Sequence, residues 1–314
     1  MLKTFFKYCI VTSIFSVHII CIYAQSFTAK RYTTVDGLSD NYILCVYQDS
    51  YGYLWIGTAH GLNRFDGKRF VTYGLKNGLP SMLVDRIYED RNHRLWVGTR
   101  KGMAEMKEDS FYTYTINDKK KINFVSGFIE PGNGSLWATT DNGVYKLNSK
   151  GWEKIKLYPG KENAGVGGII QTKGGLFIGY ENNTLIQLRN DGSYKVILSV
   201  NTKGRPYYSS LFSKNDTVFI STYSGLQYWN GYKWIKQFED TLSRKFIYSS
   251  FCDKHNRFWL GTKEDGLLCI MNEGSKIIYR QIPLAFNLVS NYFEDREGNI
   301  WIAGFEGLVK ISAS

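Results

Sequence analysis

Short runs of hydrophobic residues, each long enough for one strand, alternate with turn residues along most of the chain. In the first such unit the runs cover residues 43–48, 53–58, 62–65 and 69–73. Glycine and aspartate lie between the runs and supply the backbone angles that tight hairpin turns need. Segments with the hydrophobic period of a helix are missing after residue 24. The pattern therefore predicts an all-β chain of short antiparallel strands.

The unit repeats seven times, and each copy places an aromatic residue in its second strand-like run. These residues are Trp55, Trp96, Trp137, Phe177, Phe219, Trp259 and Trp301, at intervals of 40–42 residues. Four strands in a unit of this length are typical of a β-propeller blade. The sequence thus predicts a seven-bladed β-propeller with four antiparallel strands per blade. An open solenoid is the alternative, but its ends need capping units and the sequence has no segment of that kind.

The two ends of the repeat array complement each other. The seventh unit finishes after its third strand, residues 308–311, and lacks a fourth. Residues 30–34 precede the first unit and resemble its fourth strand, residues 68–72. We therefore expect the N-terminal strand to complete the seventh blade, which closes the ring and removes exposed strand edges.

The N-terminal residues have the composition of a secretory signal peptide. Two lysines precede an apolar stretch over residues 8–23, and a small residue suited to cleavage follows. We predict a signal peptide over residues 1–24 and a single propeller domain over residues 25–314, exported from the cytoplasm. An uncleaved N-terminal membrane anchor is the alternative.

Cysteines and charge limit the classes of partner. Cys45, Cys252 and Cys269 remain after the predicted cleavage, and an odd number of cysteines inside strand-like runs is typical of buried thiols. The formal net charge is +11, and it is +9 without the two lysines of residues 1–24. This charge favours an anionic ligand. Because the basic residues are scattered and export is expected, nucleic acid is not an expected partner.

Groups suited to catalysis or metal binding are not clustered in the sequence. His60, His93 and His255 are the histidines after residue 24. The blade pattern places His60 on one face and the other two on the opposite face, so the three cannot share one metal. A nucleophile elbow, a zinc-protease motif and a phosphate loop are also missing. We therefore expect no enzyme activity, no metal and no cofactor; the alternative is a lyase, since some propellers are lyases.

Residues 49–67 read Asp-x-x-Gly-x-Leu-Trp-Ile-Gly-Thr-x-x-Gly-Leu-x-x-x-Asp-Gly. This motif resembles the two-component regulator propeller repeat, and residues 295–308 resemble its first half apart from Ala303. Residues 33–41 resemble the segment that opens sensors of this family. The resemblance covers residues 26–314 and implies the periplasmic sensor region of a hybrid two-component sensor kinase of Bacteroidetes. Many such sensors detect oligosaccharides.

The resemblance also implies partners. Sensors of this family usually carry two such propellers, a further β-domain, a membrane helix and a kinase, whereas this sequence ends with its seventh unit. We expect a truncated sensor, a split gene product or a free-standing binding protein. The expected ligand is an oligosaccharide, and the positive charge favours an acidic one. A separately encoded sensor kinase, a second propeller and a second copy of this chain are candidate partners, and a protein-interaction propeller is the alternative function.

The expected binding surface follows from the order of strands within a blade. Loops between second and third strands, and connections from one blade to the next, share one mouth of the ring. Aromatic rings in these loops suit stacking on a sugar, and amides and charges suit its hydroxyl groups. The candidate ligand-binding residues are His60, Arg100, Lys101, Asn142, Tyr180, Asn182, Tyr207, Tyr223, Lys263 and Phe305. Tyr180 and Tyr223 come from the two units whose repeat pattern has diverged furthest, which makes them the preferred pair.

Overall fold

The structure is a computed structural model that describes part of the chain. The described residues are 27–114, 124–132, 134–181, 183–199, 208–242, 245–263, 265–273, 276–282 and 288–312. The predicted signal peptide, residues 1–24, lies outside these ranges. None of the helices within them is long and apolar enough to cross a membrane.

Regular structure in these ranges is almost entirely β-strand. Strand β1 (Ala29–Tyr32) precedes blade 1, which consists of β2 (Ile43–Gln48), β3 (Leu54–Thr58), β4 (Gly61–Phe65) and β5 (Phe70–Tyr73). Blade 2 consists of β6 (Val84–Glu89), β7 (Leu95–Thr99), β8 (Gly102–Lys107) and β9 (Ser110–Thr113). Blade 3 consists of β10 (Val125–Ile129), β11 (Trp137–Thr140), β12 (Gly143–Asn148) and β13 (Gly151–Ile155).

The second half of the chain continues the series. Blade 4 consists of β14 (Val166–Thr172), β15 (Gly175–Tyr180), β16 (Thr184–Leu188) and β17 (Tyr194–Ser199). Blade 5 consists of β18 (Tyr208–Lys214), β19 (Thr217–Thr222), β20 (Gly225–Trp229) and β21 (Trp234–Gln237). Blade 6 consists of β22 (Ile247–Cys252), β23 (Phe258–Thr262), β24 (Gly266–Glu273) and β25 (Lys276–Ile282). Blade 7 takes β26 (Val289–Glu294), β27 (Ile300–Gly304) and β28 (Gly307–Ile311) from the C-terminal end. Two 3-10 helices, Thr34–Asp36 and Leu75–Asn77, and the one-turn helix α1 (Glu239–Leu242) lie between strands.

The seven sheets form a closed ring, as the sequence predicted. Each sheet has four antiparallel strands, and the first strand of each blade contacts the first strands of the blades on either side. The contact between β2 and β26 joins the first blade to the last. The seven-bladed β-propeller is therefore confirmed.

The N-terminal strand closes the seventh blade. Strand β1 pairs antiparallel with β28, with Ala29 opposite Ile311 and Tyr32 opposite Leu308. The Tyr32 side chain is 7% exposed, and its ring lies 5.8 Å from that of Trp301 and 5.4 Å from that of Phe65. Strand β1 therefore binds blade 7 through its backbone and packs between blades 7 and 1 through Tyr32.

The glycine that follows the repeated tryptophan allows neighbouring blades to approach closely. A Cβ atom at Gly57 would lie 2.5 Å from the carbonyl oxygen of Val84, which begins the first strand of blade 2. At Gly98 a Cβ atom would lie 2.7 Å from Val125 in blade 3. We expected the repeated glycines to form turns; at this position the glycine instead permits packing between blades.

An aspartate six residues before the repeated tryptophan fixes the ring in four blades. Its carboxylate accepts the indole N–H in the pairs Asp49–Trp55, Asp90–Trp96, Asp253–Trp259 and Asp295–Trp301, at 2.7–2.9 Å. Both partners are buried in each pair. The Asp of the repeat motif therefore connects the turn between the first two strands to the hydrophobic core.

The three cysteines are buried and unpaired, as predicted. Burial raises the pKa of the Cys45 and Cys269 thiols to about 12 and that of Cys252 to about 11. The thiols are therefore protonated at neutral pH and act as small apolar side chains.

Candidate ligand-binding mouth

Strand order places two sets of loops at the same end of the ring. In each blade the first strand begins at this end and runs to the opposite end of the ring. The second strand runs back to this end. The loop between the second and third strands therefore lies beside the connection that enters the first strand. We call this end the mouth.

The two sets of loops meet in what we call rim pairs. A rim pair consists of the first residue of a loop between second and third strands and the residue just before the first strand of the next blade. Three rim pairs are aromatic contacts in the described structure: Arg100 with Phe124, Tyr223 with Phe246, and Phe305 with Tyr42. They lie between blades 2 and 3, 5 and 6, and 7 and 1.

The three aromatic rim pairs differ in geometry. The Arg100 guanidinium lies 5.0 Å from the centre of the Phe124 ring. Tyr223 stacks on Phe246 with ring centres 4.1 Å apart and an interplanar angle of 10°. Phe305 and Tyr42 make an edge contact at 4.2 Å and 65°. Tyr223 and Phe305 are 48% and 41% exposed, so both offer ring surface at the mouth.

Backbone hydrogen bonds hold the rim residues in place. Among the described residues, five blades have a first loop residue that donates its N–H to the carbonyl that precedes the first strand of its own blade. These bonds join Ala59 to Tyr42, Arg100 to Leu83, Asp141 to Phe124, Glu181 to Gly165 and Lys263 to Phe246, at 2.9–3.3 Å. A residue such as Phe124 thus bonds its own blade through its carbonyl and contacts the preceding blade through its ring.

A β-bulge at the start of every first strand redirects one further side chain. The register with the second strand shifts at this point in all seven blades. In three blades the extra residue is a serine, Ser126, Ser209 or Ser290, and its hydroxyl donates to a carbonyl in the first strand of the next blade. Bulges commonly re-aim side chains at barrel rims. Here they connect neighbouring blades near the mouth.

The other bulges add Asp85 and Tyr248 to the mouth, which sequence reasoning missed. Asp85 accepts two hydrogen bonds from the Arg100 guanidinium, from Nε at 2.9 Å and from Nη2 at 3.1 Å. Burial raises the pKa of Asp85, while Arg100 acts in the opposite direction. The Tyr248 ring lies 4.4 Å from that of Phe246 at an interplanar angle of 55°, so it adds a third, tilted ring beside the pair of Tyr223 and Phe246. The alternation of inward and outward side chains along a regular strand predicts the wrong direction for both residues. Their side chains point toward the mouth because of the β-bulge.

Charge at the mouth is mixed. His60 pairs with Asp40, Lys245 pairs with Asp265, and the Arg31 guanidinium lies 3.9 Å from the Glu306 carboxylate. His60, Lys101 and Lys263 are exposed. Six of the ten predicted residues, His60, Arg100, Lys101, Tyr223, Lys263 and Phe305, therefore lie exposed at the mouth, distributed over five blades.

Two predicted residues are not exposed at the mouth. Asn142 is 0% exposed, and its amide donates to the Tyr145 hydroxyl at 3.0 Å. Tyr180 is 3% exposed and packs near Tyr158, with ring centres 5.9 Å apart. Burial raises the pKa of Tyr180 to about 12. Placing them on the ligand surface was wrong for this conformation.

The burial of Tyr180 has a direct cause in the repeat. Tyr180 is the last residue of its strand, where other blades have a threonine such as Thr58 or Thr99. Those threonines are 0% exposed, and their hydroxyls donate to the carbonyls of Gly61 and Gly102 to close the following loop. The position is therefore internal in every blade that keeps the threonine. Asn182 and Tyr207, the remaining predicted residues, lie outside the described residues.

Grouped metal ligands are not seen at the mouth or elsewhere in the described ranges. No set of three or more His, Cys, Asp or Glu side chains there is arranged to hold a metal ion. The geometry of the mouth instead offers half-exposed rings, cationic side chains and backbone groups. This combination suits binding of a polar ligand with flat apolar faces.

Comparisons with known proteins agree with the repeat motif. The model of the two component regulator propeller family matches residues 37–60 and 78–101. "Histidine kinase P4" of Formosa agariphila is 44% identical over 62 residues, which make up 19% of this chain and 4% of that kinase. The chain therefore corresponds to a small part of this relative.

Similar solved structures share the fold. The extracellular domain of a putative hybrid two component system from B. thetaiotaomicron has a TM-score of 0.73 and 24% identity, over 92% of this chain and 42% of that chain. A catalytically inactive virginiamycin B lyase from Staphylococcus aureus with quinupristin has a TM-score of 0.68 and 14% identity, over 92% of this chain and 100% of the lyase. At these identities the similarity establishes the propeller fold and leaves function open. The family model therefore confirms the resemblance to the two-component regulator propeller repeat over residues 37–60 and 78–101.

Proposed function

We propose that this propeller is the ligand-binding module of a two-component sensor and binds an oligosaccharide at the mouth. The observation that carries the proposal is the set of three aromatic rim pairs beside cationic side chains. Sugar rings have apolar faces that stack on aromatic side chains, and their hydroxyl groups take hydrogen bonds from polar neighbours.

Charge favours an acidic oligosaccharide. Arg100, Lys101 and Lys263 are exposed around the mouth, and the chain without residues 1–24 has a formal charge of +9. The guanidinium of Arg100 is already positioned by Asp85, so little entropy is lost when it pairs with a ligand. A carboxylate or sulfate group on the sugar would pair with these cations.

The sensor role and the location rest on the relatives. The family model and the extracellular domain of the putative hybrid system support a sensing module outside the cytoplasm. The chain covers 42% of that solved domain, and we propose that further modules complete the signalling step. The candidate partners for this step are a separately encoded sensor kinase, a second propeller or a second copy of this chain.

Calorimetry of the full chain against neutral and anionic oligosaccharides tests the binding proposal. We expect Tyr223→Ala and Phe305→Ala each to weaken binding about 3- to 10-fold, because each removes one exposed ring. Tyr232→Ala is the matched control, since Tyr232 is 89% exposed in the turn between the third and fourth strands of blade 5, at the other end of the ring. Raising the salt concentration should weaken binding of the anionic ligands more than that of the neutral ones.

Two outcomes would contradict this proposal. If no oligosaccharide binds at millimolar concentration, a protein-interaction propeller becomes the better description. If a ligand binds but the two mouth variants match Tyr232→Ala, the site lies elsewhere.

A lyase is the second candidate, because a lyase of known structure shares the fold over its whole length. Incubation of the full chain with each bound glycan, followed by mass analysis, distinguishes binding from cleavage. We expect the ligand to be recovered unchanged.

A further inference from the structure

A groove of about 530 Å³ lies between blades 3 and 4, at the end of the ring opposite the mouth. Pro131 and Gly132 from the turn between β10 and β11 form one side. The other side comes from the turns of blade 4 and includes Lys173 and Arg189, with Leu176 among the apolar residues of the wall. This volume lies within the range of small-molecule sites.

Trp137 lines the groove and has lost the partner that its equivalents keep. Its indole nitrogen is buried and has no hydrogen-bond partner among the described residues, although the side chain is 9% exposed. In four other blades this N–H donates to an aspartate six residues earlier, as in Asp90–Trp96. Blade 3 has Pro131 at that position. Leaving a buried donor without an acceptor is unfavourable, so a carboxylate at this point would be favoured.

In the part of the chain that the structure describes, the seam between blades 3 and 4 also lacks a contact found between other blades. At the seam between blades 1 and 2, the Ser50 N–H donates to the Glu89 carboxylate at 2.6 Å, and at the next seam the Arg91 N–H donates to Glu130 at 2.9 Å. Blade 4 has Gln171 in the place of that glutamate, and its amide donates to the neighbouring Thr172 carbonyl at 3.0 Å. At this position, therefore, the Gln171 side chain bonds its own strand and not the neighbouring blade.

We propose that this groove binds the carboxylate of a small organic acid, with the Trp137 indole N–H as the donor that replaces the lost aspartate contact. Lys173 and Arg189 attract the anion to the groove, and Leu176 and Leu188 contact its carbon skeleton. The nitrogen is covered in this structure, so the ligand reaches it only after a local rearrangement of the groove wall.

The two cations are available to a ligand at small cost. Lys173 is 92% exposed, and its Nζ lies 3.1 Å from Asp216 in an ion pair at the surface. Arg189 is exposed, and its Nη1 lies 3.3 Å from the Ser193 hydroxyl. Surface contacts of this kind contribute little free energy, so exchanging them for a ligand carboxylate is favourable when the groove excludes water.

The test is titration of the full chain with acetate, succinate and D-glucuronate, beside the neutral compounds acetamide, succinamide and D-glucose. Two-dimensional NMR of the indole N–H groups reports the donor directly, and Trp137→Phe assigns its signal. We expect the carboxylates, and not the neutral compounds, to move the Trp137 signal downfield. Glucuronate distinguishes a sugar acid from a simple organic acid as the preferred ligand.

Variants separate this site from the mouth. Pro131→Asp supplies the missing carboxylate within the chain, so we expect it to raise the melting temperature by about 2–4 °C and to abolish carboxylate binding. Lys173→Gln with Arg189→Gln should weaken binding about tenfold or more, whereas Lys150→Gln, an exposed lysine on the turn of blade 3 at the same end, should leave it unchanged. The shift of the Trp137 signal should be the same in Tyr223→Ala as in the unmodified chain, whatever that variant does to binding at the mouth.

The proposal is overturned if none of the three acids moves the Trp137 signal at millimolar concentration. It is equally overturned if Pro131→Asp and the double glutamine variant bind the acids as tightly as the unmodified chain.

Discussion

Asp90 Oδ2 accepts the indole N–H of Trp96 over 2.9 Å, while Oδ1 of the same carboxylate accepts the backbone N–H groups of Asn92 and Arg94 at 2.9 and 3.0 Å. One side chain thus shapes the turn between the first two strands and fixes the ring in the core. Asp90 is 3% and Trp96 is 0% exposed. The Arg94 guanidinium compensates the buried charge, with Nε 2.7 Å from Oδ2.

Removal of the Asp90 side chain should destabilise the propeller. We expect Asp90→Ala to lower the free energy of unfolding by about 2–3 kcal/mol, because the indole N–H loses its partner inside the core. Asp66→Ala is the matched control, since Asp66 bonds two backbone N–H groups in an exposed turn and holds no ring. Chemical denaturation followed by fluorescence measures both. Equal losses in the two variants would show that the tryptophan contact contributes nothing.

The closing strand gives a second prediction. Deletion of residues 26–35 removes the partner of β28 and should lower the melting temperature markedly, because it exposes a strand edge and opens the ring. Tyr32→Ala is the milder variant, with an expected loss of about 3 kcal/mol for a buried aromatic ring. Tyr51→Ala at a 79% exposed position is its control. An unchanged melting temperature in the deletion variant would contradict closure by β1.

The Arg100–Asp85 pair gives a third prediction. Asp85 is 2% exposed, so Arg100→Ala leaves its carboxylate inside the protein without its cation. We expect a loss of about 1–3 kcal/mol in the free energy of unfolding, and recovery of most of it in the double variant Arg100→Ala with Asp85→Asn. Denaturation of the two single variants and the double variant measures the coupling. Additive losses would show that the two side chains act independently.

The sequence contained most of the information about the fold. A tryptophan or phenylalanine at regular intervals, with Gly and Asp turns between strands, predicts the seven blades, because each blade packs an equivalent aromatic ring in its core. The missing last strand and the early β1 predict closure for the same reason. The role of Gly57 was not predicted, because its neighbour Val84 belongs to the next blade, and the sequence of one unit holds no information about distances between blades.

The candidate site was predicted less well, for two physical reasons. Tyr180 occupies a strand end whose side chain points inward, and a shift of one position along a strand moves a side chain to the other face. Asp85 and Tyr248 reach the mouth through a β-bulge, which reverses the direction that alternation predicts. Arg100, Tyr223 and Phe305 lie at the mouth, as the loop assignment expected, because they begin short loops of fixed length; their role in ligand binding stays a prediction.

Tyr180 provides the last prediction, on alkaline stability. Burial raises the pKa of Tyr180 from 10.0 to about 12, so between these values the phenol is protonated in the folded protein and ionised in the unfolded chain. Its contribution to stability is complete below pH 10 and is lost as the pH rises through 12. Burial also raises the pKa of Tyr88 and Tyr114 to about 12, so the chain as a whole should lose stability in this window. Between pH 8 and pH 11 the free energy of unfolding should fall by about 1 kcal/mol less in Tyr180→Phe than in the unmodified chain, since phenylalanine does not ionise. Urea denaturation at both pH values measures the difference within each protein, so any effect of the substitution at pH 8 cancels. Identical pH dependence in the two proteins would show that Tyr180 is accessible to solvent, and would return it to the list of residues available to a ligand at the mouth.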